Sequence, residues 1–164
     1  MAKHRLQLST IFFIYSLDSF GIAIAYPIFT PLFLNPDSPF FPDGTTTTYR
    51  FLLLGILLAL FPVAQFFSDP FIGDFSDRIG RKKTFSFTLA GSTLSYFVAA
   101  LGIHFHSLVL LCISRFCNGI FAGNTSLCFA SLSDLSATDQ ERSKNFGLMA
   151  AFGGISFFLS ILSG

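Results

Sequence analysis

Two ionisable side chains, Asp18 and Arg115, interrupt stretches that are otherwise apolar enough to cross a bilayer. At 1.5 Å per residue, Asp18 lies roughly 11 Å from the face where its stretch begins, and Arg115 roughly 19 Å from that same face. A charge in hydrocarbon costs at least about 2.5–3.5 kcal/mol on insertion scales, so it faces a cavity or a partner. The depth offset of ~8 Å is one that a long Arg side chain or a single water can bridge. Two readings follow. Either Asp18 and Arg115 line one polar cavity in which the carboxylate takes up and releases a proton, or they form a fixed ion pair between two helices. A neighbouring cation and burial act in opposite senses on a carboxylate's proton affinity, so the first reading allows the affinity to be set by which neighbour is close. Gln65, Asp69 and Gly73 form a weaker polar stripe, one helical turn apart. Gln65 is read with the cavity, and Asp69, near the end of its stretch, as an interfacial carboxylate.

Other chemistries find no support. Cys112, Cys117 and Cys128 share one apolar stretch without a CxxC or a nearby histidine, so they read as buried packing residues and no metal site is expected. His104 and His106 read as solvated turn residues. The chain lacks a Ser/Lys or Ser/His pair, a paired intramembrane aspartate motif and an HExxH, which argues against an enzyme and leaves no catalytic residue to name. Gly73–Lys83 has neither Walker A spacing nor a GxGxxG, so no nucleotide or other cofactor is implied. Asn124-Thr125-Ser126 is formally a glycosylation sequon, but it falls within a membrane stretch. The basic residues lie in separate short loops, and nothing points to nucleic acid.

The elements that must position these residues are membrane helices. Of the 164 residues 52% are hydrophobic and 12% charged, about half the charge of a soluble domain, and the mean hydropathy is +0.66. Crossing a hydrocarbon core of about 30 Å takes about 20 apolar residues. Ile11–Leu34, Phe51–Ile72, Thr84–Ile103 and Leu108–Leu132 meet that length, and a fifth stretch runs from Phe146 to Gly164. Backbone groups in lipid must be satisfied internally, so the fold class is all-α, a polytopic membrane bundle of about five helices. Lys3, Arg5, Arg78, Arg81, Lys82, Lys83, Arg142 and Lys144 fall on one face and only Arg50 on the other, which puts the N-terminus in the cytoplasm. Asp18 and the hydrophobicity continuing through Leu34 argue for a retained first helix over a cleaved signal peptide. The external stretch Asn35–Thr48, rich in Pro, Asp and Thr, reads as a turn-rich connector without a core. Gly119 and Gly123 form a GxxxG that allows close helix approach, and Gly91/Ser95 and Gly147/Ala151 repeat the small-residue spacing.

The stretch Gly73-Asp74-Phe75-Ser76-Asp77-Arg78-Ile79-Gly80-Arg81-Lys82-Lys83 reads as a tight basic hairpin between the second and third helices. It resembles the G-x-L-[AS]-D-R-x-G-R-[RK] signature of the major facilitator superfamily, with Phe75 in place of the usual leucine. Within that superfamily the chain is similar to the drug:proton antiporters that include tetracycline-efflux proteins. Leu17-Asp18, Gly21 and Pro27 carry the likeness in the first helix, and Ala64-Gln65-Phe66 with Pro70 in the second. Arg115 and Gly119 fit R-x-x-x-G in the fourth. Asp134, Glu141-Arg142 and Phe146-Gly147-Leu148-Met149 carry it into the fifth. The chain departs from the pattern at Leu159–Gly164, where the antiporter signature has a Gly-Pro and paired glycines, and at Thr30, with Pro31 one place later than the branch's second proline.

The resemblance implies a cytoplasmic latch in which Gly73, Asp77, Arg78, Gly80, Arg81 and Asp134 hold an outward-facing state, Asp77 capping and charge-pairing neighbouring helix ends. It implies a transporter of small molecules driven by a proton gradient, exporting drugs or metabolites across a bacterial cytoplasmic membrane. The family builds twelve helices in two halves. Residues 1–164 then correspond to a truncated N-terminal portion, inactive alone unless a missing C-terminal half or self-association supplies the rest. The alternative is a small non-transporting membrane protein that associates with or regulates a larger partner through its GxxxG face. In both cases the partners are the lipid bilayer and, for the transporter, a small-molecule substrate.

Overall fold

The computed structural model describes residues 2–42 and 44–163; Gly164, the last residue of the fifth expected span, lies outside the described residues with Met1 and Asp43. The described residues form seven helices and no strand: α1 Ala2–Ala23, α2 Ala25–Leu34, α3 Thr47–Ile79, α4 Arg81–His104, α5 Leu108–Ile120, α6 Asn124–Leu135 and α7 Asp139–Ser163. They make five stretches long and apolar enough to cross a membrane, Leu6–Leu34, Thr47–Ile79, Arg81–His104, Leu108–Leu135 and Asp139–Ser163. The all-α membrane class is therefore the observed one.

Two of the five stretches are each built from two helices. The first breaks at Ile24, three residues ahead of Pro27, whose missing N–H leaves the Ala23 carbonyl without its helical donor. The fourth breaks at Phe121–Gly123 without a proline. There the ladder tightens, with Ala122 N–H donating to Gly119 O at 3.2 Å. Hydroxyls of neighbouring helices take up the carbonyls at the break: Ser68 Oγ donates to Gly119 O at 3.1 Å and Ser92 Oγ to Phe121 O at 3.5 Å. Side-chain rescue of this kind is what makes irregular backbone tolerable at membrane depth.

The helices overrun the apolar stretches that announce them. α3 has 33 residues, or roughly 50 Å at 1.5 Å per residue, and carries Gly73–Ile79 as helix. Its polar end is held by the Arg78 Nε–Asp74 Oδ2 ion pair at 2.9 Å, one turn apart. The expected hairpin thus shrinks to a single residue, Gly80, at φ +89° and ψ 146°. α7 likewise starts at Asp139 and not Phe146, because Thr138 Oγ1 accepts from Glu141 N–H at 3.2 Å while Glu141 Oε2 accepts from Ala137 N–H at 3.0 Å. This closes a near-standard N-terminal capping box.

The chain divides into two compact units. One comprises residues 1–25 and 124–164, so it contains α1, α6 and α7. Here α1 packs on α7 and α6, with Phe12 stacked on Phe152 at 5.4 Å and Tyr15 edge-on to Phe129 at 5.9 Å. Leu127, Cys128, Leu132 and Met149 are its buried apolar side chains on α6 and α7. The other unit comprises residues 26–123 and is centred on α5, which packs against α3 and α4. A Cβ on Gly119 would overlap the Phe61 carbonyl and approach Ala64 Cβ to 2.7 Å, and one on Gly123 would fall 2.5 Å from Ile72. The GxxxG face is therefore filled by α3 of the same chain.

Within this second unit, the segment from Asn35 to Thr46 has a small core of its own, contrary to the sequence reading. Phe40 and Phe41 are buried and pack on Phe33, with ring centroids 6.2 and 5.5 Å apart. Turn residues describe its backbone correctly; the two phenylalanines among them carry the packing.

Candidate functional site

Asp18 sits on α1, five residues ahead of that helix's end. Both of its carboxylate oxygens have partners on the first turn of α6. Asn124 Nδ2 donates to Oδ1 at 3.2 Å and Thr125 Oγ1 donates to Oδ2 at 3.3 Å. Because the fourth stretch breaks at Phe121–Gly123, Asn124 begins a new helix at this depth, and the positive end of its dipole lies beside the carboxylate. Asn124 is fully buried. The sequence showed these two residues only as an unreachable sequon. The available signal was a polar pair in an apolar stretch directly after Gly123.

Arg115, on α5 of the other unit, is 4% exposed. Its guanidinium lies 5.0 Å over the Phe61 ring and 5.7 Å over the Phe29 ring, with Tyr26 and Tyr96 within electrostatic reach. Its Nε is buried and makes no hydrogen bond among the described residues. Gln65 and Asp69 lie half-buried on α3 of the same unit. Asp69 Oδ1 is buried without a hydrogen-bond partner among the described residues.

The residues named for the latch are distributed as follows. Gly73, Asp77 and Arg78 occupy the last turns of α3, Gly80 forms the turn, and Arg81 is the first residue of α4. Asp134 lies near the end of α6, in the other unit. The described residues contain no group of three or more His, Cys, Asp or Glu side chains placed to hold a metal ion.

A half-buried carboxylate and a buried guanidinium in spans that break midway are features of membrane carriers, and the sequence agrees. The sequence model of the Major Facilitator Superfamily matches residues 8–164. The chain belongs to that superfamily. It is 29% identical over 148 residues to the class H tetracycline resistance protein of Pasteurella multocida, covering 90% of this chain and 34% of the relative. It is 34% identical over 107 residues to the quinolone resistance protein NorA of Staphylococcus aureus (strain N315), covering 65% and 26%. It is 35% identical over 112 residues to major facilitator superfamily domain-containing protein 10 of Bos taurus, covering 68% and 24%. The chain spans about a third of the length of the tetracycline resistance proteins it matches. As a major facilitator chain with five membrane-length helices it is a membrane protein of a transporter family. The family indicated by the Gly73–Lys83 motif is the one the whole chain matches.

Proposed function

We propose that this chain forms the N-terminal part of a proton-coupled exporter of small organic molecules, placed in a bacterial cytoplasmic membrane with its N-terminus inside. Asp18 is assigned the proton, Arg115 and Gln65 the substrate path, and Gly73, Asp77, Arg78, Gly80, Arg81 and Asp134 the cytoplasmic latch. The proton gradient is the energy source. The observation that carries this reading is the Asp18 carboxylate held at both oxygens by α6. A threonine hydroxyl both donates and accepts. It can donate to the ionised carboxylate and, after rotation, accept from the protonated one, so the site keeps a partner in both protonation states. A fixed ion pair has no use for that property. The relatives are named for resistance to different drugs, so no single compound is carried over to this chain.

The test is drug-induced proton efflux in everted membrane vesicles from cells expressing this chain together with the C-terminal remainder of the class H relative. Drug addition should collapse the pH gradient with wild-type Asp18 and leave it intact with Asp18→Asn, at equal protein in the membrane. Full coupling in Asp18→Asn would remove the proton role. Reporter fusions at the N-terminus and after His104 read the orientation independently.

A further inference from the structure

At the end of the first membrane stretch away from the N-terminus, α2 and the residues that leave it border an open cavity of about 260 Å³. Ile28, Pro31 and Leu32 give it an apolar wall, and Asn35 and Asp37 line its polar edge. The edge is fixed from within the segment. Ser38 Oγ donates to the Leu32 carbonyl, Ser38 N–H to the Asn35 carbonyl at 3.1 Å, and Asp37 N–H to Asn35 Oδ1 at 3.1 Å. Two polar groups are left over. Among the described residues the Asp37 carboxylate makes no ion pair or hydrogen bond, and Asn35 Nδ2 donates to nothing. Arg50, the cation that reaches this segment, gives its donors to the Asn35 and Pro36 carbonyls instead. The depth is that of lipid headgroups: the membrane stretch ends at Leu34, and Tyr49 stands exposed at the start of α3 in the same unit. Tyrosine is a residue type enriched at that level.

We propose that this cavity binds phosphatidylethanolamine, whose headgroup carries an ammonium and a phosphate on one short link. The ammonium donates charge-assisted hydrogen bonds to the Asp37 carboxylate, and the Asn35 amide donates to the phosphate. Ile28, Pro31 and Leu32 take the first carbons of an acyl chain. The volume is below the roughly 300–1,000 Å³ of pockets for drug-sized ligands, so it fits a headgroup and the start of a chain. Selectivity follows from the donors. The quaternary ammonium of phosphatidylcholine has the charge but no N–H, and phosphatidylglycerol brings its phosphate to Asp37 without a cation. Basic loops attract anionic lipid in general, so dependence of ethanolamine-lipid binding on Asp37 cannot come from them. The site does not depend on what the chain transports.

The experiment is native mass spectrometry of the full chain in detergent, titrated with phosphatidylethanolamine, phosphatidylcholine and phosphatidylglycerol of identical palmitoyl-oleoyl chains. The ethanolamine lipid should bind about tenfold tighter than the choline lipid, the effect of a charge-assisted hydrogen bond. Asp37→Asn should lose about tenfold of ethanolamine-lipid affinity and should not lower that for phosphatidylglycerol. Ile28→Trp fills the cavity without touching the charge and should weaken the ethanolamine lipid by a similar factor. Asp74→Asn, towards the far end of α3, should change nothing. Equal affinity for the ethanolamine and choline lipids, or unchanged ethanolamine-lipid affinity in either Asp37→Asn or Ile28→Trp, overturns the proposal. A dimer that Ile28→Trp disperses would give the face to a second copy of the chain and overturn it too. No gradient or drug enters the measurement, so failure of the coupling assay leaves this result standing, and coupled transport without lipid selectivity overturns this site alone.

Discussion

The side-chain amide of Asn124 donates to Asp18 Oδ1 at 3.2 Å, joining residues 106 positions apart in sequence. The contact depends on two local events. The fourth membrane stretch must break at Phe121–Gly123 for Asn124 to head a helix, and the break must be tolerated by its neighbours. Ser68 and Ser92 meet the second condition by hydrogen-bonding carbonyls at the break. A carboxylate in one helix is thereby answered by the first turn of another, and the helix dipole adds to the two side-chain bonds.

Replacing Thr125 separates the hydroxyl from its methyl. A hydrogen bond to a charged group contributes about 1.5–3 kcal/mol, so Thr125→Val should lower thermal stability by about that amount, measured by scanning fluorimetry in detergent. Thr125→Ser keeps the donor and should retain most of the stability. In the vesicle assay the same order is expected for coupling, Ser well above Val. Equal behaviour of the two variants would show that the hydroxyl takes no part.

Close approach of α3 and α5 rests on missing side chains. At Gly119 a methyl group would overlap the Phe61 carbonyl, which is backbone and does not rotate away. Gly119→Ala should therefore destabilise by about 1–3 kcal/mol, the usual cost of overpacking. Gly147, also in a small-xxx-small pair, has open space around a built Cβ. Gly147→Ala should be neutral or slightly stabilising by the helix propensity of alanine. Thermal midpoints of the two variants, measured side by side, check the contrast.

The turn between α3 and α4 is Gly80 at φ +89°, in the half of backbone space that L side chains avoid. Gly80→Ala should cost about 1–3 kcal/mol, because φ +89° with ψ 146° falls in an extended positive-φ region that is essentially reserved for glycine. Gly73 belongs to the same sequence motif but is helical, with nothing within 4 Å of a built Cβ. Gly73→Ala should leave stability unchanged. Any loss of transport in Gly73→Ala would then report on the latch and not on folding.

How much of this was legible in the sequence follows from which signal each feature leaves. Hydrophobic length revealed the five spans, because lipid enforces helix wherever about 20 apolar residues run together. It placed their ends too far inward, since α3 continues through Asp74 and Arg78 on an i,i+4 ion pair that hydropathy counts against a helix. The start of α7 was readable from Thr138 and Glu141 at capping-box spacing, but the apolar count began at Phe146. Asp18 and Arg115 stood out because a charge in lipid is rare. Their partners did not, because Asn124 and Thr125 become the head of a helix only through a break that carries no proline. The division of each broken span was half legible: Pro27 marks the first break and nothing so plain marks the second.

Arg50 at the start of α3 gives the clearest case of a residue whose role sequence could not assign. Counting loop charges made it the lone basic residue on the external face; in the structure it is 5% exposed. Its guanidinium donates to the Asn35 carbonyl and, at 3.2 Å, to the Pro36 carbonyl, and lies 4.9 Å over the Phe41 ring. One planar group thus holds the backbone that leaves α2 and the aromatic side chain that closes the loop. A lysine cannot bridge two carbonyls and cover a ring at once. Arg50→Met keeps the apolar stem and removes every donor. Loop amides from Ser38 to Thr45 should then exchange about tenfold faster, the equivalent of about 1.4 kcal/mol of lost protection. Those of Gly91–Ser95 in α4 should not change. Arg50→Lys should fall between the two. Hydrogen exchange resolved by mass spectrometry reads all three chains, and unchanged loop exchange in Arg50→Met would mean that Phe33, Phe40 and Phe41 hold the segment without the clamp.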